Sequence, residues 1–111
     1  MSAARLPAAL EISGLIRLTE SSGGFAMVLH KGEPDGGTIL IVLLDNQGLG
    51  RVFERLPQAD GTRRWTVAKK QTIENKLDFE EYLVRRRAQD PDVWLIELTV
   101  ADGERLILNL E

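Results

Sequence analysis

The spacing of hydrophobic and polar residues changes along the chain, and each change marks a predicted element. From Pro7 to Ser21 the apolar residues recur every three or four positions, which predicts an amphipathic helix. Gly23 and Gly24 then end this helix. Four segments with alternating or continuous apolar residues follow, separated by turn residues, and they predict the strands Phe25–His30, Thr38–Leu44, Arg51–Leu56 and Arg64–Lys69.

A second helix is predicted before the most apolar stretch of the chain. Asp78 and Glu81 have the spacing of a capping box, which favours a helix start at Asp78. Apolar residues further upstream also allow a start near Thr72, and the sequence leaves both starts open. Pro91 disfavours helical backbone in the residue before it, so the helix is predicted to end at about Gln89.

The remaining residues predict two more strands. Val93–Val100 is almost entirely apolar, which is typical of a strand that is covered on both faces. Asp102-Gly103 is a strong signal for a two-residue hairpin loop, so Arg105–Leu110 is predicted to return as the last strand. The predicted order is therefore α-β-β-β-β-α-β-β. Short connections favour a mainly antiparallel sheet of about six strands that starts with a hairpin of the first two. With both helices on one face, this is a two-layer α+β fold in a single domain, residues 1–111.

Composition narrows the range of functions. The chain has 111 residues, of which 43% are hydrophobic and 28% charged, as in ordinary globular domains. Its net charge of −3 gives no overall field that would attract nucleic acid or an anionic membrane. Without cysteine, the chain has no thiolate nucleophile, no disulfide and no cysteine metal site. No segment has the pattern of a secretory signal or a membrane span, so the predicted location is cytoplasmic, and no cofactor is expected.

Three groups of residues could carry enzyme chemistry, and each has a simpler interpretation. The loop Gly32–Gly37 is rich in glycine, but a strand rather than a helix follows it, which favours a hairpin turn over a phosphate-binding loop. Asp90, Asp92 and Glu97 could bind Mg²⁺ or Ca²⁺, but an aspartate before proline is also common in turns. His30 could act as a general base, but no nucleophile or orienting acid is evident. A metal-dependent or acid–base enzyme is therefore the least favoured function.

Arginine and tryptophan residues form the strongest candidate binding group. The candidate partner-binding residues are Arg63, Arg64, Trp65, Arg85, Arg86, Arg87, Asp90 and Asp92. Trp65 is predicted to be partly exposed because its strand alternates, and an exposed Trp beside Arg is typical of binding hot spots. Trp94 lies in an apolar run and is assigned to the core. Arg86 is predicted to pack its stem on the apolar side of the helix and to pair with Asp90 or Asp92.

Several motifs together resemble a small bacterial family. They are Gly24-Phe25-Ala26, Lys31–Gly37, Pro57-Gln58, Asp60-Gly61, Arg64-Trp65, Tyr82-Leu83 with the arginines that follow, and Asp90–Trp94 with Glu97. The most specific piece is the arginine-rich helix end followed by Asp-Pro-Asp-x-Trp. The family is catalogued only as a domain of unknown function, number fourteen ninety-one, and the resemblance covers nearly the whole chain. It implies no established activity, cofactor or partner, so no functional residues are carried over.

The residues favour a non-enzymatic domain that acts through contacts with another protein or with a second copy of itself. If the second helix begins near Thr72, a second apolar stripe lies roughly opposite the core-facing one. This stripe consists of Ile73, Leu77, Val84 and Ala88. Either the first helix or another subunit, as in a homodimer, must cover it. A nucleic-acid surface built from Arg63, Arg64, Trp65 and Arg85–Arg87 is the alternative function, and the acidic net charge disfavours it.

Overall fold

The fold consists of three helices and five strands within residues 6–110, the part of the chain that this computed structural model describes. The helices are α1 (Ala8–Ser21), α2 (Lys76–Gln89) and α3 (Gly103–Leu108). The strands are β1 (Phe25–His30), β2 (Ile39–Leu44), β3 (Gly50–Pro57), β4 (Arg63–Lys70) and β5 (Trp94–Thr99). The predicted α+β class is confirmed, and the five strands lie close to the predicted positions of the first five.

The strands form one mixed sheet in the order β1-β5-β2-β3-β4. β5 lies between β1 and β2, antiparallel to β1 and parallel to β2, and the other pairs are antiparallel. The predicted hairpin of the first two strands is therefore wrong, because β5 separates them. The physical reason is burial: Leu95, Ile96 and Leu98 are at most 2% exposed, which a strand achieves in the middle of a sheet covered on both faces.

Helices cover both faces of the sheet. α1 and α3 pack on one face, called here the α1 face, whose buried cluster contains Ala8, Ile12, Leu15, Ile39, Ile41, Leu43, Phe53, Trp65, Trp94, Ile96, Leu98 and Ile107. α2 packs on the opposite face, the α2 face, whose cluster contains Leu40, Val42, Val52, Phe79, Val93 and Leu95. The predicted two-layer arrangement with both helices on one face is therefore wrong. β2 and β5 present apolar side chains to both faces, so both faces need a cover.

The last predicted strand is a short helix instead. Asp102 has a left-handed backbone with φ of 54°, and Gly103 begins α3 rather than a hairpin return. The amide of Leu106 donates to the carbonyl oxygen of Asp102 at 3.0 Å, and Ile107 is fully buried on the α1 face. The apolar spacing of Arg105–Leu110 is compatible with a strand or a helix, and the burial of Ile107 in the core favours the helix.

α2 begins between the two predicted starts, at Lys76. The turn before it is held by two hydrogen bonds: the amide of Thr72 donates to Asn75 Oδ1 at 2.6 Å, and the amide of Asn75 donates to Thr72 Oγ1 at 3.2 Å. Asp78 is not the N-cap that the capping box predicts, because it lies inside the first turn. There its carboxylate accepts a hydrogen bond from Lys69 Nζ at 2.7 Å, which lowers the pKa of Asp78.

The glycine-rich loop between β1 and β2 is a tight turn that packs on the start of β5. The carboxylate of Glu33 folds back and accepts from the amides of Asp35 at 2.7 Å and Gly36 at 2.6 Å. Trp94 is 4% exposed, as the core assignment requires, and its indole Nε1–H donates to the carbonyl oxygen of Glu33 at 2.8 Å. The loop amides therefore bind a carboxylate of their own loop, which agrees with the turn interpretation and not with a phosphate-binding loop.

Candidate functional site

The structure does not bring the predicted binding residues together. Trp65 lies on the α1 face and is 7% exposed, so the predicted exposure of this side chain is wrong. Arg63 and Arg64 are exposed at the start of β4, whereas Arg85 and Arg87 are exposed on α2. Because Trp65 and α2 lie on opposite faces of the sheet, no single contact surface includes all of these residues.

Trp65 connects β4 to α1. The guanidinium carbon of Arg55 lies 4.8 Å from the centre of the Trp65 ring, and Arg55 Nη1 pairs with Glu11 Oε2 of α1 at 3.0 Å. The indole Nε1–H of Trp65 is buried and donates to no acceptor among residues 6–110. Strand alternation indicates which face Trp65 occupies, but not that α1 and α3 extend over it. The residue therefore belongs to the core of the α1 face.

Arg86 forms a polar cluster on the α2 face. Its Nη1 and Nη2 atoms donate to the two carboxylate oxygens of Glu54 in β3, at 2.8 and 2.9 Å, and Nη1 also donates to the Tyr82 hydroxyl at 2.9 Å. The hydrogen bonds from Arg86 to Glu54 raise the pKa of the guanidinium, which stays charged. Arg86 is half-buried, as predicted, but its predicted pairing with Asp90 or Asp92 is wrong.

The residues considered for metal or acid–base chemistry are dispersed. Asp90 Oδ1 accepts from the amide of Asp92 at 3.1 Å, a bond that is common in turns. His30 Nδ1 lies 2.7 Å from the carbonyl oxygen of Val93, and because a carbonyl only accepts, this nitrogen donates the hydrogen. Glu97 lies in β5. Among residues 6–110, no three His or acidic side chains are placed to hold a metal ion.

The α2 face carries a groove that was not predicted from the sequence. α2 covers only part of this face, and α2, β1, β2 and β5 line a groove of about 400 Å³. Leu29, Val42 and Leu95 contribute apolar side chains from the strands, and Leu83 and Val84 contribute them from α2. The charged residues that line the groove are Glu80, Arg87 and Glu97.

Exposed apolar side chains continue from the groove onto β1. Phe25 is 67% exposed, Met27 47% and Leu29 38%, and Val84 on α2 is 62% exposed. Met27 pairs with Glu97 across the β1–β5 ladder, and paired residues of a ladder point to the same face, so Met27 lies on the groove side. This surface is absent from the predicted topology, in which β1 lies next to β2 and both helices cover one face.

The comparison with known proteins gives the family of the chain. A family profile described as "Protein of unknown function (DUF1491)" matches residues 6–108. The chain belongs to the DUF1491 family. The resemblance inferred from the motifs is thereby confirmed. No protein with a curated description matches the chain.

Solved structures of DUF1491 proteins have the same fold. A crystal structure from Caulobacter crescentus CB15 is 31% identical with a TM-score of 0.74, and covers 86% of this chain and 88% of that one. An NMR structure of a DUF1491 protein from the same organism is 32% identical with a TM-score of 0.74, and covers 91% of each chain. A solution structure of a protein from A. tumefaciens is 26% identical with a TM-score of 0.71, and covers 87% of each chain.

The family description names no activity, so the function of this DUF1491 chain has to be inferred from its surface. No helix within residues 6–110 is long and apolar enough to cross a membrane. The groove combines apolar side chains with charged side chains of both signs. That combination is typical of a contact surface and makes the groove the candidate functional site.

Proposed function

We propose that this DUF1491 protein is a non-enzymatic binding domain whose groove receives an apolar segment of another protein. The proposal rests on one observation: helices cover the two faces of the sheet to different extents. Within residues 6–110, α1 and α3 pack on one face, whereas α2 is the helix that packs on the other and leaves the groove open beside β5 and β1. Contiguous apolar side chains that remain exposed in this way mark contact surfaces.

The open area has about the width of one helix. Neighbouring strands lie about 4.8 Å apart, so β5 and β1 together offer roughly 10 Å of floor beside α2. A helix with its side chains is about 10 Å across. We therefore propose that the bound segment is an amphipathic helix that lies beside α2 with its apolar side on the floor, a known mode of peptide recognition.

Glu97 specifies part of the chemistry of the partner. Its side chain is half-buried in the groove and makes no hydrogen bond or ion pair with any described residue. A carboxylate that is partly removed from water, near Leu29 and Leu95, is stabilised by a cation that can donate to it. The bound helix is therefore proposed to carry a Lys or Arg among its apolar residues, at the position that faces Glu97.

Val84→Glu is expected to abolish partner binding without unfolding the domain, because Val84 lies on the groove and is 62% exposed. Val67→Glu is the matched control, since Val67 is 41% exposed on β4 at the other edge of the sheet. The wild type and both variants are immobilised, and the proteins retained from a cell extract are identified. The affinity of the purified partner is then measured by calorimetry, with an expected loss of at least about tenfold for Val84→Glu.

Two results would contradict this function. One is a set of retained proteins that is the same for the wild type, Val67→Glu and Val84→Glu. The other is a partner whose purified form binds Val84→Glu and Glu97→Lys as tightly as the wild type. Circular dichroism accompanies both measurements, because an unfolded Val84→Glu would place this side chain in the core and remove it from the groove surface.

Nucleic acid is not the proposed ligand, and salt dependence tests this alternative. Arg55 and Arg86 are paired with Glu11 and Glu54, so they are not available to phosphates. Binding through the remaining arginines would release counterions and weaken steeply with salt. We expect mixed single- and double-stranded DNA and RNA to bind no more tightly than about 10⁻⁴ M at physiological salt, measured by fluorescence anisotropy. Micromolar, salt-sensitive binding that Arg63→Ala and Arg64→Ala weaken would replace the proposed function.

A further inference from the structure

We infer that two copies of this chain associate through β1, which pairs antiparallel with β1 of the second copy across a two-fold axis. The five-stranded sheet is thereby extended into a continuous sheet through both copies. This contact uses the edge of the strand, whereas the proposed function uses the groove beside α2. The inference therefore rests on separate observations and goes beyond the proposed function.

The two edges of the sheet differ in their protection. β1 and β4 are the edge strands. β4 has two cations at each end, namely Arg63, Arg64, Lys69 and Lys70, and charges on an edge strand deter pairing with another strand. β1 has the sequence Phe-Ala-Met-Val-Leu-His, with no Lys, Arg, Asp, Glu or Pro. β1 is therefore the edge without the residues that normally prevent association.

The regular part of β1 is complementary to itself. Its pairing with β5 is regular from Phe25 to Val28, and the register shifts only beyond Val28. A two-fold axis through Ala26 places Phe25 opposite Met27 of the second copy, and places the two Ala26 residues opposite each other. An aromatic residue opposite an aliphatic one stabilises a strand pair by about 0.2–1 kcal/mol, and this register contains the Phe25–Met27 pair twice. No charge faces a like charge in it.

Neither layer of helices closes off the β1 edge. Val28 pairs with Ile96 and so lies on the α1 face, yet it is 37% exposed, which shows that α1 leaves the edge open at this point. On the α2 face, Phe25 and Met27 are 67% and 47% exposed, because α2 packs over the central strands. A second strand can therefore approach the edge from the side without displacing a helix.

The exposed area fits a reversible dimer. The exposed parts of Phe25, Met27, Val28 and Leu29 sum to on the order of 400 Å² per copy. Each partner of a standard interface contributes about 800 Å², so these side chains supply roughly half, and the strand backbone and flanking residues add to it. Small interfaces are typical of weak, transient contacts, so we expect a reversible dimer with a dissociation constant of about 1–100 μM.

Pairing through β1 also brings the two grooves together. On the α2 face, the open sides of the two sheets become adjacent, so β5 and β1 of both copies form one floor between two α2 helices. The dimer therefore presents two grooves side by side, related by the two-fold axis, to an apolar partner.

Sedimentation velocity tests the dimer over protein concentrations from about 5 to about 500 μM. The wild type is expected to shift from monomer to dimer in this range. Met27→Lys is expected to remain monomeric at every concentration, because it replaces the apolar partner of Phe25 with a charged side chain in both halves of the contact. Val67→Lys places the same charge on β4 and is expected to associate like the wild type. Phe25→Lys, at a position that is 67% exposed, repeats the test at a second position of the edge.

The sedimentation results distinguish a dimer through β1 from a dimer through another surface. A wild type that is monomeric at the highest concentration overturns the inference, as does association that both Met27→Lys and Phe25→Lys retain. Association that Val84→Glu abolishes, while Met27→Lys retains it, assigns the interface to α2 instead. In the inferred dimer, amide hydrogen exchange slows with rising concentration at the β1 residues whose amides point away from β5, which are every second residue of the strand. Val84→Glu keeps this protection while it loses the groove partner.

Discussion

Gly32→Ala and Gly37→Ala are each expected to destabilise the protein by about 2–4 kcal/mol. A Cβ at either position would collide with the carbonyl oxygen of Asp92, and it would approach Cδ1 of Trp94 to 2.7 Å from Gly32 and 2.9 Å from Gly37. The atoms that the added Cβ would contact belong to the backbone before β5 and to a buried indole ring. The loop can therefore accommodate the Cβ only by separating from the start of β5. The cost includes the hydrogen bond from Trp94 Nε1 to Glu33.

Gly14→Ala is the control for these two variants. Gly14 is exposed in α1, and beyond the backbone of its own helix a Cβ at this position would meet no described atom within 4 Å. Alanine favours helix over glycine by about 0.5–1 kcal/mol, so this variant is expected to be more stable than the wild type. Urea unfolding followed by tryptophan fluorescence measures all three variants. An unchanged midpoint for Gly32→Ala or Gly37→Ala would show that the loop does not pack closely on β5.

Arg86→Ala is expected to destabilise the protein by about 2–3 kcal/mol. The side chains of Arg86 and Glu54 are 23% and 16% exposed, and two charge-assisted hydrogen bonds join them. The variant leaves the carboxylate of Glu54 half-buried without its cation, and it also removes a donor to the Tyr82 hydroxyl. Chemical unfolding at neutral pH measures the loss.

Arg85→Ala is the matched control for the Arg86 prediction. Arg85 is the preceding residue of α2 and is exposed, so its loss is expected to change the unfolding free energy by less than about 0.5 kcal/mol. In a double-mutant cycle, Glu54→Ala is expected to cost little more once Arg86 has been replaced. If Arg86→Ala unfolds at the same denaturant concentration as the wild type while Arg85→Ala unfolds at a lower one, then Arg85 and not Arg86 lies on the packed face of α2.

Local structure could be predicted where one pattern dominates. The aliphatic run in β2 and the alternation in β3 have no competing interpretation, and both strands are present in the structure. The segment Arg105–Leu110 has a spacing that fits two structures, and contacts from distant parts of the chain select the helix. One such contact is the close packing of Gly103 against Leu43 of β2, which the local sequence does not contain.

The order of the strands could not be predicted, because it depends on pairing between distant residues. Ile39–Leu44 and Trp94–Thr99 are both continuous apolar runs, and two such runs are stabilised as neighbours in the centre of a sheet. The turn residues before β2 were interpreted instead as the loop of a hairpin that joins β1 and β2. The need to bury both faces of β2 and β5 favours them as neighbours, and this places β5 between β1 and β2.

Of the residues predicted to bind a partner, Arg87 lines the groove and the others do not. Arg86 was assigned correctly to the packed side of α2, but its pairing with Glu54 was not predicted, although Glu54 shares a strand face with Val52. The groove was not visible, because it results from two features that only the three-dimensional arrangement contains. These features are the edge position of β1 and the packing of α2 on the face opposite α1.

The central position of β5 determines when the protein can fold during synthesis. Within residues 6–110, β5 is the strand that pairs with β1, and Phe25 pairs with Thr99, which is translated much later than Phe25. At about 5–20 residues per second, β1 waits about 4–15 s on the ribosome before its partner exists. During that time an uncharged apolar strand is available to chaperones and to other nascent chains. A chain that terminates before Trp94 never completes the sheet, so premature termination anywhere upstream leaves a substrate for proteolysis rather than a partly active domain.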